Sequence, residues 1–580
     1  MAKPLRASTL LILSLATIGC NVKDPPPFRP LGLQRQEREL AGQIPQPPMG
    51  QFPTSFQSPY APYAEPRSQS ATQPVAGPDL ATAPSVHLSL QELVQRSVTN
   101  SHEVRVSGYD PGIEQTRIVE AQARFDPTFF TNTQYERRDN WTGGITLANP
   151  SNPFQTPLPT FFEDKTRTFT VATGVRQQLE SGGQAELRYQ AGLTQDDPQR
   201  TVMNPFYTSE LILEVTQPLL RDFGQEVNRA RITIARNTHK VSVLEFRNTL
   251  EKNIAQIEQT YWQLVQAYRD VQTFQELLNR TEQTADILSK RFNQDATRES
   301  ISQSIASVEA RRASLVRAKQ RVGDLSDQLK RLVNDPNLPV TSGVIILPDT
   351  PPTLDPITFD LHDQINTAMD SRAELSQQQL RIDNASIVLG VAKNNLLPQL
   401  NFITQLGVQG GNETYGEAIE RNFDQGRTSY RVGLQLEVPI GNRAARAIYQ
   451  RSLLQRQQAI ESYQNVVSQV SQEVKQTLRD VHASWQEIVF TRRAVFAAAD
   501  ALASIQFREE SGQPLTPEFV ELKLSRQQDL ANNQQSYNQA VAAYNVAITN
   551  LERAKGTLLR YNNILLQEDR LPFNVRVAIK

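Results

Sequence analysis

The stretch Leu396-Leu397-Pro398-Gln399-Leu400-Asn401-Phe402 marks a change of pattern. Before it runs a helix-type segment that opens at Phe359-Asp360-Leu361-His362-Asp363-Gln364-Ile365. Proline lacks a backbone N–H and clashes with the preceding turn, so Pro398 ends helix and starts extended chain. Beyond it Leu400, Phe402, Leu406 and Val408 alternate with Asn401, Gln405 and Gln409. Further on, Tyr430, Val432, Leu434, Leu436 and Val438 alternate with Arg431, Gly433, Gln435 and Glu437. Two-residue alternation with charges on one side predicts strands lying between an apolar and a wet surrounding. A soluble sandwich and a membrane barrel both meet that description.

The same junction occurs earlier, at Phe125-Asp126-Pro127, and Pro127 and Pro398 are 271 residues apart. The helix start Leu88-Ser89-Leu90-Gln91-Glu92-Leu93-Val94 precedes its counterpart at Phe359 by the same 271. Gln217-Pro218-Leu219 answers to Val438-Pro439-Ile440 at 221, Trp262 to Trp485 at 223, and Leu329 to Leu551 at 222. So constant an offset over a long stretch indicates a duplicated domain, with a period far above that of solenoid repeats. Each copy reads helix, strands, long helix, returning helix. Ile254, Ile257, Tyr261, Leu264, Tyr268 and Val271 step by threes and fours. So do Tyr463, Val466, Val470, Val474, Leu478, Val481, Trp485 and Ile488. These are stripes of coiled-coil type, and a helix of roughly 60 residues is on the order of 90 Å long. The shorter returning segments, about 299–333 and 517–561, leave each long helix needing the opening helix of its copy as a second partner. Trp262 and Trp485 read as packing anchors.

The chain has 580 residues, 60 Lys and Arg against 61 Asp and Glu, one cysteine and five histidines. Balanced charge argues against a nucleic-acid partner. A lone cysteine excludes a disulfide framework, and the scattered histidines suggest no metal motif. No catalytic set, phosphate loop or cofactor signature stands out, so neither an enzyme nor a cofactor is expected. Lys3 and Arg6 precede a short apolar run, Leu10 to Ile18, which reads as a secretory signal over residues 1–19. The run ends Thr17-Ile18-Gly19-Cys20, which resembles a bacterial lipoprotein cleavage site with Cys20 as the lipidated residue; an ordinary signal with an incidental cysteine is the alternative. Fourteen of the 35 prolines fall between Asp24 and Ser85, so residues 20–85 read as a lipid-anchored, proline-rich tether. The first repeat is then 86–335 (helix, four strands, helical hairpin), with a linker at 336–356. The second is 357–562 (helix, two strands, helical hairpin), followed by a C-terminal tail at 563–580.

Taken in order, these features resemble the TolC-type outer-membrane factor family, the exit ducts of tripartite efflux pumps and type I secretion systems. The strongest local matches are Gln217-Pro218-Leu219-Leu220 and the final helical stretch from Ala540 through Asn550 to Gly556. The resemblance implies a mixed α/β membrane protein of long helices forming a periplasmic α-barrel. A transmembrane β-barrel would be shared by a homotrimer, with Pro218 and Pro439 at the strand-to-helix junctions. It further implies an outer-membrane efflux protein of a diderm bacterium, extending into the periplasm and anchored to outer-membrane lipid if Cys20 is modified. Such a channel conducts passively and meets a periplasmic adaptor and an inner-membrane transporter. The adaptor-contact tips would be near Phe292, Ala296 and Thr297 and near Gly512 and Pro514. Asp295, Glu509 and Glu510 would be the candidate gate acids, with an ordinary solvated helix end as the alternative for each. The competing reading of the whole chain is a lipid-anchored periplasmic coiled-coil scaffold.

The two copies differ in one respect. Pro127 to Pro218 is 91 residues and Pro398 to Pro439 is 41, so copy one carries 50 more. Within them Phe169, Val171, Val175 and Leu179 alternate with polar residues, then comes the tight-turn signal Ser181-Gly182-Gly183, then Leu187, Tyr189 and Leu193 alternate again. Strands are expected at 128–137, 168–179, 184–194 and 209–217, with long outer connections at 138–167 and 195–208. This predicts six strands per protomer and eighteen in a trimer; a soluble cap is the alternative for the added hairpin.

Overall fold

The computed structural model describes residues 84–145, 159–197, 203–291, 296–568 and 575–579. Cys20, Phe292 and Asp295, with the signal and almost all of the tether, lie outside them. The chain forms two compact units. One gathers the residues up to Gly112, Val243–Ala373 and Gln469 onward; the other consists of Ile113–Ser242 and Glu374–Ser468.

The second unit holds a six-stranded antiparallel sheet. Its strands are β2 (Thr128–Ile145), β3 (Pro159–Gln178), β4 (Gln184–Asp197), β5 (Phe206–Pro218), β7 (Gln399–Asn412) and β8 (Arg427–Glu437), in that spatial order. The added hairpin is therefore part of the sheet, hydrogen-bonded to β2 on one side and β5 on the other. Gly182, at φ +96°, makes its turn; a Cβ there would fall 2.1 Å from the Asp222 carbonyl oxygen.

The expectation of a long irregular stretch at 138–167 needs correction. β2 continues to Ile145 and β3 begins at Pro159, so most of this stretch is strand. Hydrophobic alternation fades after Tyr135 because residues 136–140 and 163–168 are polar on both faces, yet the backbone ladder continues. Neighbouring charges pair along it, Arg138 with Glu136 at 2.6 Å and Lys165 with Glu163 at 3.0 Å. Between β7 and β8 lies a short helix, Tyr415–Asp424, that the sequence reading did not anticipate.

The first unit is mainly helical; of the helices, Tyr415–Asp424 and all but the first residue of Ala373–Asn394 belong to the second unit. Ser89 caps the opening helix α1 (Leu90–Asn100) through a capping box with Glu92. After a short helical segment at His102–Ser107 comes α2 (Asp110–Gln122), which spans the boundary between the units. The long helix α3 (Ala230–Lys290) has 61 residues and its return, α4 (Arg298–Val333), has 36. After β6 (Ile345–Pro348) come α5 (Leu361–Ser371) and α6 (Ala373–Asn394). The short helix between β7 and β8 is α7, and it is followed by α8 (Arg443–Glu510) of 68 residues and α9 (Pro517–Ala554) of 38. The main core joins Ile254, Ile257, Tyr261 and Leu264 of α3 to Leu93 and Val94 of α1, Leu325 and Leu329 of α4, and Ile345 and Ile346 of β6. The opening helix does serve as a partner of the long one. A second cluster packs Val481 and Ile488 of α8 against Val541, Tyr544, Ile548 and Leu551 of α9, with Trp485 alongside. Trp262 is likewise buried, edge-on to Tyr261.

Two segments carry more structure than expected. Residues 336–356, read as a linker, supply β6, which pairs in parallel with β1 (Ser85–Leu88). Residues 563–580, read as a tail, contain a hairpin of β9 (Ile564–Glu568) and β10 (Val575–Ile579). Four- and five-residue strands are too short for alternation to distinguish them from loop.

Candidate membrane sheet and helical tips

The register of the sheet sorts its side chains into two opposed faces. Across all six strands, Phe129, Val175, Leu187, Leu213, Leu406 and Tyr430 form one row of partners. Every one of them is exposed, Tyr430 at 81 %. The same face carries Tyr135, Phe169, Leu193 and Tyr207 as a second row and Phe402 beside Leu434 nearer the helical end. One row beyond Tyr135 and Phe169 come Arg137 and Arg167, where the apolar band stops.

The opposite face holds Thr128, Arg176, Glu186, Glu214, Gln405 and Arg431 in one row, and Asn132, Ala172, Gln190, Glu210, Gln409 and Arg427 in another. Arg188 on this face pairs with Glu186 at 2.8 Å, and the Arg176 guanidinium lies 5.6 Å from the centre of the Phe130 ring. A soluble core needs one sheet face covered. Here the apolar face is bare over most of its breadth, an apolar area of the kind that marks an interaction surface. The two edge strands, β2 and β8, have no partner on their outer sides among the described residues. Pro218, half of the proposed junction set, is the last residue of β5 and pairs with Asn401; Pro439 follows the end of β8 and is exposed.

At the other candidate site, the turn from α8 to α9 is built on Gly512, at φ +89°, where a side chain would be strained. Thr516 caps α9, with Pro517 in its first turn. Phe519, Val520 and Leu524 of α9 pack with Ile505, Leu515, Leu288 and Ala296. Ala296 is thus buried within the described chain, and Thr297 is the N-cap of α4, in a reciprocal hydrogen-bond pair with Ser300. Glu509 is held by Lys523 Nζ at 2.6 Å, its side chain only 15 % exposed. Glu510, the next residue, is exposed, and so is Pro514. Arg508 stacks over Phe519 and donates to Gln513 Oε1 at 2.8 Å. The two acids are therefore inequivalent: one is neutralised by a partner and the other faces solvent.

Deeper in the helical unit, Glu258 is buried and accepts hydrogen bonds from Thr549 Oγ1 and from Asn562 Nδ2 at 2.7 Å. Burial pushes its carboxyl above the usual glutamate range, and nearby Glu552 adds to this. Arg311, bonded to Gln527 Oε1 and the Leu524 carbonyl, is lowered by burial to about 10. No group of His, Cys, Asp or Glu among the described residues could hold a metal ion. No helix among them is long and apolar enough to cross a membrane.

A six-stranded sheet with one apolar and one polar face, in a chain with two long helices each followed by a shorter one, makes a fold shared with bacterial outer-membrane channels. The structure is similar to that of the outer membrane protein VceC from Vibrio cholerae, with a TM-score of 0.55 and 18 % identity over 80 % of this chain and 96 % of that one. The Campylobacter jejuni CmeC outer membrane channel is similar at 0.54, with 15 % identity over 81 % and 86 % of the two chains. The open state of the Neisseria gonorrhoeae MtrE outer membrane channel gives 0.56, with 15 % identity over 81 % and 89 %. At these identities the likeness establishes the fold. No protein-family model matches the chain, and no curated protein is similar to it in sequence.

Proposed function

We propose that this chain is the protomer of a trimeric outer-membrane export channel of TolC type, the passive exit duct of a tripartite efflux pump or type I secretion system. The observation that carries the reading is the open sheet with one exposed apolar face. In an alternating antiparallel order, β2 and β8 run in opposite directions, so β8 of one copy can pair with β2 of the next in the same antiparallel sense. Closure removes both free edges, which is the condition for strands to cross a bilayer. Three copies give about eighteen strands, in the range that encloses a water-filled lumen. The polar face then lines the lumen and the apolar face meets lipid.

On this reading Cys20 carries the lipid and residues 20–85 tether it to the duplicated body, 86–335 and 357–562. The helices form the periplasmic barrel. The turns around Phe292, Ala296 and Thr297 and around Gly512 and Pro514 meet a periplasmic adaptor that links to an inner-membrane transporter. Asp295, Glu509 and Glu510 form the entrance, and transport energy comes from the inner-membrane partner.

Purified full-length protein reconstituted in planar bilayers tests the proposal. Discrete conductance from a trimeric species is the expected result. A folded protein that stays monomeric and never conducts would overturn it in favour of a periplasmic scaffold. Replacing Cys20 by serine should remove metabolically incorporated lipid while leaving a channel that still conducts, because insertion rests on the sheet.

A further inference from the structure

We propose that α7, the helix between β7 and β8, lies in the plane of the membrane interface and seats on outer-leaflet lipid. The inference rests on the barrel reading above. α7 packs across the apolar face of the sheet, on the small residues Ser209 and Gly410. A Cβ at Gly410 would come within 2.2 Å of the Ala418 carbonyl oxygen and 2.5 Å of the Asn422 nitrogen, so only glycine admits the helix. Beneath it Ser209 is fully buried; its hydroxyl accepts from Asn422 Nδ2 at 3.1 Å and shares a hydrogen bond with the Tyr189 hydroxyl at 2.9 Å. The Tyr415 and Tyr189 hydroxyls lie 3.2 Å apart. Buried polar contacts of this kind hold the helix on the sheet.

Its orientation follows from one contact and from helix geometry. Arg421 Nη1 donates to the Gly411 carbonyl at 3.3 Å, on the side toward the outer end of β7. At about 100° per residue, Phe423 is roughly 160° round the helix from Arg421. It therefore occupies the flank toward Val408 and the apolar band, and it is 74 % exposed. The charged flank, with Arg421 between Glu417 and Asp424, points to the outer end and the aromatic flank to the band. This happens at the level where the row of Tyr135, Phe169 and Tyr207 gives way to arginines. An amphipathic helix beside an aromatic girdle is the arrangement that rests at a lipid–water boundary. The continuity of Phe423 with the lipid-facing band selects lipid as the occupant.

The test uses Phe423→Cys, Arg421→Cys and Tyr430→Cys, each carrying a nitrobenzoxadiazole label, in full-length protein reconstituted into phosphatidylcholine vesicles. The unsubstituted chain sets the labelling background from Cys20. Bromines are placed either high or low on the acyl chains. The label at 423 should lose fluorescence, more to shallow than to deep bromine, and the label at 421 should lose none. If 430 is quenched and 423 is not, the helix stands in water and the inference fails while the barrel survives. Deep bromine outperforming shallow at 423 also overturns it. If neither 423 nor 430 is quenched, the barrel reading itself fails.

Discussion

The long helices α3 and α8 carry the same kind of apolar stripe but meet different surroundings. On α3, Leu250, Ile254, Ile257, Tyr261 and Leu264 are all fully buried by other parts of the same chain. On α8, Val470, Val474, Val481 and Ile488 are buried, yet Phe496 and Phe507 remain 63 % and 71 % exposed. Phe496, Ala503 and Phe507 are spaced by seven and four, so they share one helical side. An apolar stripe shows that a helix will be covered; it does not show whether the cover is in the same chain. The exposed side of α8 is where the trimer reading puts a neighbouring copy.

The comparison can be broken most forcefully on α3. Leu250→Ala removes a side chain with no solvent exposure and should cost about 2–5 kcal/mol, the usual range for such a cavity. Chemical denaturation followed by helical circular dichroism measures it. A cost no greater than that of Phe507→Ala would erase the distinction between the two helices. On α8 the expectation is of another kind. Phe496→Ala with Phe507→Ala should leave the protomer folded and weaken assembly by about 2 kcal/mol or more, as expected for aromatic anchors of an interface. Analytical ultracentrifugation in detergent would show trimer passing to monomer at concentrations where the wild type stays trimeric. An unchanged trimer would mean that the stripe faces no neighbour.

A milder test concerns the buried carboxyl of α3. Its pKa is raised in the folded chain, so the folded state holds its proton where the unfolded state has released it. The stabilising contribution is complete below the usual value of 4.5 and is lost as pH rises through the raised one. The loss is at most about 1.4 kcal/mol per pH unit. Glu258→Gln keeps the shape and removes the titration, so denaturation midpoints measured from pH 4.5 upward should fall less steeply than in the wild type. Parallel slopes would show that Glu258 carries no such coupling.

Much of this architecture was legible because prolines, helical stripes and strand alternation act locally. Pro127 and Pro398 precede β2 and β7 closely, and Gly182 announced the added hairpin. The legible part stopped where the signal depended on distant partners. Alternation in β2 and β3 stops where residues 136–140 and 163–168 are polar on both faces, while the ladder itself needs only backbone. β6 and the β9–β10 hairpin were too short to show a period. α7 was hidden inside a loop between strands, although Tyr415, Ala418, Ile419 and Asn422 share its inner side and Thr414 precedes it. At the tips, sequence could nominate Glu509 and Glu510 but could not separate them, because Lys523 lies fourteen residues away and is brought in only by the turn.

That separation yields the smallest and most specific prediction. In an entrance built from three copies, a carboxylate acts on passing cations according to its unbalanced charge. Glu509 is already matched by Lys523, whereas Glu510 is exposed without an ion-pair partner within 4 Å among the described residues. Glu510→Gln should therefore lower cation preference, read as a shift of reversal potential toward zero in a salt gradient. Unit charges acting through water at close range contribute only about 1 kcal/mol, so a change of no more than a few-fold in permeability ratio is expected. Glu509→Gln should act differently. It leaves the buried Lys523 ammonium unpaired, so its main effect should be a loosened tip, seen as faster backbone hydrogen exchange around residues 509–523, with its own charge contribution small. Equal effects of the two substitutions on selectivity, with exchange unchanged in both, would show that the ion pair does not distinguish them.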